Sequence, residues 1–388
     1  MDLLLVAAFL AGLAAVTKYF GLALLPLMFL HVLLKGQWRS TVLLAIPLAM
    51  IGGFEAWTTH LYGHGLIQSA VDAAGTRRQS HFRAYSAEFL TGLTFLGGCM
   101  ASVSLIPSCL KPVRFFMASL VAIPMLSMLG FIAATRLPEL EPITERPDLL
   151  MTYSLFVAAG LWCVWLCLRD LYVHRDRRSL WLITWLAGTW TFAVAFNWTI
   201  SARSLLPMAP AMGIVVARYV ESIEVVAPRR KGVAIFTGLA LSAALSLWVA
   251  TADFVLAESG RGAAKELLAE CDPTRGTIWF TGDWGFQYYM QAGGAVPLDL
   301  ASWKMAKGSY FVAALSATQV LELPPTVARP RLMRDFPAGL GLATISDYRS
   351  AGFYSTVSGR LPFGIGPVPP RRFVLHDILF NIGTKSSQ

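Results

Sequence analysis

The sequence predicts an α-helical polytopic membrane domain of about nine spans over residues 1–252, followed by a small mixed α/β extracytoplasmic domain over 253–388. Three observations predict it. The 388 residues are 55% hydrophobic and only 14% charged, with a mean hydropathy of +0.56, whereas a soluble domain carries roughly 25% charged residues. The apolar residues up to 252 fall into repeated runs of membrane-spanning length. The remainder has no such run and carries 24 of the 55 charged side chains. A wholly water-soluble globule and a disordered chain are both excluded by this composition.

A span needs roughly 20 apolar residues. Candidate runs lie at about 3–16, 19–34, 40–61, 89–109, 115–134, 149–168, 179–197, 203–220 and 232–252. The first two are short and separated by Thr17-Lys18-Tyr19, as in a bent hairpin or two tilted helices. The eighth contains Pro207 and Pro210, which predict a broken or re-entrant segment. If alternate connections face the cytoplasm, one set of short loops carries Lys35, Arg39, Lys111, Arg114, Arg169, Arg175, Arg177, Arg178, Arg218, Arg229, Arg230 and Lys231. The other set carries Lys18, Arg77, Arg78, Arg83, Arg136, Arg146 and Arg203. Basic loops stay inside, so residues 253–388 are expected outside, in the periplasm if the host is a Gram-negative bacterium. Trp38, Trp57, Trp181, Trp198 and Trp248 fall near span ends, where aromatic belts form.

Most of the net charge of +9 belongs to the membrane half and serves orientation, so no nucleic-acid partner is expected. Cys99, Cys109, Cys163, Cys167 and Cys271 form no C-x-x-C pair and read as buried thiols rather than a disulfide framework or zinc site. In the tail, 254–271 reads as a helix and 277–281 as a strand. A helix is expected to begin between Asp283 and Met290, a second strand at 309–312, and a surface loop over the Pro/Gly-rich 361–370. The aromatics of 284–289 suit a helix packed into a core better than a platform for sugar or lipid.

Ionisable groups at membrane depth point to function. Lys18 lies between two apolar runs, and Arg203 sits beside the proline-broken segment; either could bind a phosphate, with snorkelling to the interface as the alternative. Arg77, Arg78 and Arg83 form a basic cluster on the face where basic residues should be scarce, which suits an anionic ligand such as a lipid-linked phosphate and equally suits lipid headgroups or solvation. His60 and His64, four apart, would share a helix face, though metal binding is the minor reading. No two of the 23 acidic residues are adjacent. Among the single carboxylates expected outside, Glu55, Asp72, Glu88, Asp253 and Asp283, the candidate for general-base work is Glu55, at the end of a span. P-loop, nucleophile-elbow and H-E-x-x-H motifs are absent.

Gly12-Leu13-Ala14-Ala15-Val16-Thr17-Lys18-Tyr19-Phe20-Gly21, leading into Leu25-Pro26, resembles the helix pair of polyprenyl-phosphate-dependent glycosyltransferases of the GT-C superfamily. The resemblance is to family 39, the dolichyl-phosphate-mannose-protein mannosyltransferase-like enzymes. Ala202-Arg203-Ser204-Leu205-Leu206-Pro207-Met208-Ala209-Pro210 resembles their segment before a late span. Trp284 to Met290 and Gly352-Phe353-Tyr354-Ser355 resemble tail motifs of bacterial members. The resemblance implies a GT-C-like membrane domain and inverting transfer of a sugar from a polyprenyl-phosphate donor to a lipid, glycan or protein acceptor on the outer face of a bacterial inner membrane. It implies Lys18 and Arg203 as donor-phosphate contacts and no cofactor or divalent metal beyond the donor itself. In such enzymes a carboxylate, often in an acidic pair, lies in the first outer loop.

Here no acidic pair exists, and Met1-Asp2 runs directly into an apolar segment without a signal-peptide n-region. The start is therefore expected to be a truncation. An inactive fragment or subunit of such an enzyme, and a lipid-linked-sugar flippase or transporter, are the alternatives.

Overall fold

The computed structural model describes residues 2–80, 85–101, 106, 141–223, 228–282, 284–299, 304–315 and 323–383. Its helices are α1 (Asp2–Thr17), α2 (Leu24–Leu34), α3 (Ala45–Tyr62), α4 (Leu66–Ser80), α5 (Tyr85–Cys99), α6 (Pro147–His174), α7 (Arg177–Thr191), α8 (Ala209–Glu221), α9 (Pro228–Ala269) and α10 (Trp284–Ala292).

Four helices among the described residues are long and apolar enough to cross a membrane: Trp38–Tyr62, Pro147–His174, Arg177–Phe196 and Pro228–Ala269. Leu3–Thr17 and Phe20–Leu34 are apolar but shorter. The described residues therefore show fewer than the nine expected spans. The run 115–134 lies outside them, and 89–109 is represented by α5. Residues 203–220 are broken into one helical turn (Ala202–Leu205), a 3-10 turn (Leu206–Met208) and α8 of 13 residues. Prolines 207 and 210 supply no amide hydrogen to a helical ladder, and each stands in the first turn of an element that follows a break, the 3-10 turn and α8.

The chain divides into two units. The first comprises Met1–Leu245 with Ile345–Gly364, the second Ser246–Thr344 with Ile365–Gln388. The expected boundary at 252/253 is thus displaced, for two reasons. Span 232–252 and helix 254–271 are a single 42-residue helix, α9, within which the division falls. Residues 345–364, expected in the tail domain, pack with the membrane helices.

The core of the first unit is built from Phe95 and Leu96 of α5, Cys163 and Leu166 of α6, Leu182 and Leu186 of α7, and Met212, Val215 and Val216 of α8. Helices α5 and α6 meet backbone to backbone through glycines. A Cβ on Gly97 would lie 1.9 Å from the Phe156 carbonyl oxygen, and one on Gly160 would lie 2.2 Å from that of Leu93. At one end of α6, buried Asp170 accepts from the Ser179 hydroxyl at 2.7 Å and meets the Arg218 guanidinium at 3.2 Å. Asp176 caps α7 there, accepting from the Ser179 amide at 2.6 Å.

The second unit holds strands β1 (Ile278–Thr281), β2 (Val296–Pro297), β3 (Tyr310–Ala314), β4 (Ala328–Phe336) and β5 (Arg371–Ile378) in the order β2-β1-β3-β5-β4. Strand β1 is parallel to β2 and β3, while β5 is antiparallel to β3 and β4. Ala263, Ala264 and Leu267 of α9 and Phe286 and Met290 of α10 cover one face through Phe280, Tyr310, Val312 and Phe373. Leu298, Met305 and Ile378 cover the other through Phe311 and Ala313. The alternation along β3, whose five residues are all buried, is that of a central strand packed on both faces. The expected helix and strands of the tail are present. The aromatics of 284–289 divide: Phe286 is buried, whereas Trp284 and Tyr288 are exposed.

Two expectations about loops are corrected. Leu361, Pro362, Phe363 and Gly364 are buried rather than on the surface, because this half of the 361–370 stretch belongs to the segment packed on the membrane helices. His60 and His64 do not share a helix face, because α3 stops at Tyr62 and Gly63 turns the chain with φ +77°. Among the described residues no group of His, Cys, Asp or Glu is arranged to hold a metal.

Candidate functional site

Arg203 sits in the single helical turn that follows a π-helical turn (Phe192–Phe196) and a bent, non-helical stretch from Asn197 to Ser201. A π turn widens the helix and redirects the chain, a feature common at functional sites. From Thr199 to Leu205 every residue is buried except Arg203, whose side chain is exposed. The local frame is held by short polar side chains. The Asn197 side-chain amide donates to the Thr199 carbonyl at 2.8 Å and to the Ser204 hydroxyl at 3.0 Å, and Ser201 and Ser204 share a bond of 2.7 Å.

Lys18 lies between α1 and the 3-10 turn Tyr19–Ala23, in extended backbone. The chain doubles back tightly here: a Cβ on Gly21 would fall 2.4 Å from the carbonyl carbon of Ala14. Phe20 then packs edge-on against Phe192 at 4.7 Å, joining this turn to the π turn that precedes Arg203. Lys18 is exposed, but its ammonium is held below the usual lysine range by partial loss of solvation and, next, by the positive charge of Arg203. The two cations therefore share one electrostatic neighbourhood, although far apart in sequence. Neither has a carboxylate within ion-pair distance among the described residues.

Residues 345–364 form the wall beside this turn. They make a compact loop whose glycines are places of close backbone approach: a Cβ on Gly359 would lie 2.0 Å from the carbonyl carbon of Ser350, and one on Gly352 would lie 2.1 Å from the Gly359 oxygen. Ile345–Ser346 pairs antiparallel with Ala351–Gly352. Two ion pairs fasten the loop: Arg349, itself buried, to Asp148 at the start of α6, and Arg360 to Glu88 of α5 at 3.2 Å. Arg146 also meets Asp148 at 2.9 Å and lies over the Tyr348 ring at 4.3 Å. Apolar contact completes the docking, with Phe363 against Phe156 at 5.0 Å and Pro362 over the bare face of Gly98.

The loop reaches the Arg203 turn directly. The Ala202 amide donates to the Phe353 carbonyl at 2.9 Å, and the Thr356 amide donates to the Thr199 hydroxyl at 2.9 Å. The Thr199 hydroxyl also bonds those of Ser355 and Thr356, each at 2.9 Å. Two stretches singled out in the sequence, 202–210 and 352–355, are therefore neighbours.

Glu55, the candidate for general-base work, is engaged with backbone amides. Its two carboxylate oxygens accept the amides of Ile67 and Gln68 at 3.0 Å each, capping the amino end of α4. A Cβ on Gly65 would lie 1.8 Å from Glu55 Oε1, so the cap needs a glycine there. Of the basic cluster, Arg77 and Arg78 lie in the last turns of α4, but their side chains, like all of Arg83, lie outside the described residues. Asp283 also lies outside them.

Of loop 345–364 the sequence singles out only 352–355 as a motif, and it does not show that the loop packs with the helices of the first unit. Its signal was present in the spacing of Gly352, Gly359 and Gly364 around Arg349 and Arg360, but nothing local to it names a distant partner. No protein-family model, no curated protein and no solved structure matches the chain.

Proposed function

We propose that this chain is an integral membrane glycosyltransferase acting on a polyprenyl-phosphate-linked sugar at the outer face of a bacterial inner membrane, with the second unit in the periplasm. One observation carries the reading: Lys18 and Arg203, the latter at the start of a proline-broken segment, stand in one electrostatic neighbourhood with no carboxylate in ion-pair distance among the described residues. Two uncompensated cations at an apolar boundary suit one anion, and a phosphate on a lipid tail approaches from that boundary. Charge-assisted hydrogen bonds from ammonium and guanidinium hold such a phosphate in the donor and gain strength as it leaves with added charge. The family resemblance supports the same assignment of these two residues.

The acceptor still has to lose a proton. Glu55 caps a helix, Glu88 pairs with Arg360, and Asp148 pairs with Arg146 and Arg349. Their engagement favours a second reading, in which this chain holds the donor and another chain supplies the base.

The test is binding of farnesyl phosphate to the purified chain in nanodiscs. Arg203→Ala and Lys18→Ala should each weaken it by about 1.5–3 kcal/mol, the contribution of a hydrogen bond to a charged group, which is roughly ten- to a hundredfold. Unchanged affinity in both variants would remove the anion site and the transferase reading with it.

A further inference from the structure

We infer that loop 345–364 is a positioning element of the anion site, and that the hydroxyls of Thr199, Ser355 and Thr356 set the direction of Arg203. This rests on the Lys18–Arg203 site proposed above and adds residues to it.

The geometry supports it in three steps. First, the stretch from Thr199 to Ser201 is neither helix nor part of a sheet, so its direction comes from whatever bonds it and the start of the turn that follows. Asn197 and Ser204 supply local bonds, and the loop supplies the long-range ones: Phe353 accepts the Ala202 amide, and the Thr356 amide donates both to the Ile200 carbonyl at 3.2 Å and to the Thr199 hydroxyl at 2.9 Å. Second, the three hydroxyls meet at Thr199, which is only 7% exposed. A hydroxyl bonded in a buried place is directional and costly to leave unpaired, so this junction admits few alternative registers. Third, the loop is itself immobilised by Arg349–Asp148, Arg360–Glu88 and the Thr94 hydroxyl, which donates to the Arg360 carbonyl at 2.9 Å. A fixed loop bonded to this stretch, beside the local bonds of Asn197, Ser201 and Ser204, limits its direction, and Arg203 is the exposed residue that follows it.

A staple that merely stabilises the fold would show the same bonds. What separates the two roles is the electrostatic contact with Lys18. If the hydroxyl junction aims Arg203, loosening it moves the guanidinium away from Lys18. The Lys18 ammonium then titrates at higher pH without any loss of folded protein.

The experiment uses the full chain in nanodiscs with farnesyl phosphate as probe, comparing Thr199→Val, Thr199→Ser, Ser355→Ala with Thr356→Val, and Arg203→Ala. Thr199→Val and the loop pair should weaken binding about tenfold and shift the alkaline limb of the pH profile upward, in protein that stays folded at the assay temperature even where the melting midpoint falls. Thr199→Ser, which keeps the hydroxyl, should restore both. If Arg203→Ala weakens binding and Thr199→Val leaves both affinity and limb as in the parent chain, the positioning role is overturned while the anion site stands. If Arg203→Ala itself has no effect, the anion site fails first. A drop in melting midpoint with the limb unmoved marks a staple, and also overturns the inference.

Discussion

Thr199 and Ser355, 156 positions apart, share a hydrogen bond of 2.9 Å between their hydroxyls. The bond ties a late membrane segment to a loop that the chain reaches only after most of its second unit has been laid down. It also explains why this end of the first unit cannot be read as helices alone: the turn carrying Arg203 is bonded by residues 353–356.

The charge contact between Lys18 and Arg203 predicts a pH signature. Lys18 binds an anion only while protonated, and its folded pKa lies below the usual lysine value, with Arg203 as one cause. The alkaline limb of phosphate binding should therefore fall below pH about 10.4. Arg203→Gln removes a repelling charge, so the limb should move upward even as affinity drops. Titration of farnesyl phosphate binding between pH 7 and 11 reads both effects; a limb that stays in place contradicts the contact.

The α5–α6 contact predicts a steric pattern. Gly97→Ala and Gly160→Ala place a methyl against backbone carbonyls and should each cost about 1–3 kcal/mol through overpacking. Gly188→Ala, on α7 with open space around it, should cost nothing measurable. Melting midpoints of the three variants in detergent decide the matter, and equal midpoints would contradict the backbone approach.

Much of this architecture was legible beforehand, for identifiable reasons. The apolar runs that became α3, α6, α7 and α9 announce themselves by length, and β1 by its Thr277–Thr281 run of β-formers. Pro207 and Pro210 foretold the broken segment because the absence of an amide hydrogen is a property of the residue itself. Lys18 and Arg203 were conspicuous as charges among apolar neighbours. What stayed hidden was pairing over distance. Glu55 looked like a free carboxylate because its partners, the amides of Ile67 and Gln68, are backbone groups that no side-chain pattern marks. Loop 345–364 looked like part of the tail because its polarity is ordinary and its partners lie on α5, α6 and the Arg203 turn.

Asp176 predicts an acid sensitivity. The Ser179 amide bond, aided by the Ser179 hydroxyl and by Arg218, holds its carboxyl below the usual range. A folded pKa below the unfolded one contributes stability that is present above pH about 3.9 and is lost as pH falls through the lower folded value. Asp176→Ala should cost about 1 kcal/mol at pH 7, the worth of a helix cap, and the gap from the parent chain should narrow as pH falls below about 3.9. Paired unfolding curves at pH 7 and pH 3.5 check this; a constant gap would rule the cap out as its source.

Cys271 predicts a protected thiol. It is buried beside the sheet of the second unit, and burial pushes its pKa up to about 11. At pH 7.5 maleimide should leave the Cys271 peptide unmodified in the folded chain and label it fully in denaturant, as mass mapping would show. Rapid labelling in the folded state would contradict its burial.

The most direct test of the shared anion site is a double-mutant cycle on farnesyl phosphate affinity with Lys18→Ala, Arg203→Ala and the double variant. If both cations hold one phosphate, each single change weakens binding, and the combined cost departs from the sum by about 0.5–3 kcal/mol, as expected for residues sharing a partner. Costs that add to within about 0.3 kcal/mol, or single variants that bind like the parent, would contradict a site shared by Lys18 and Arg203.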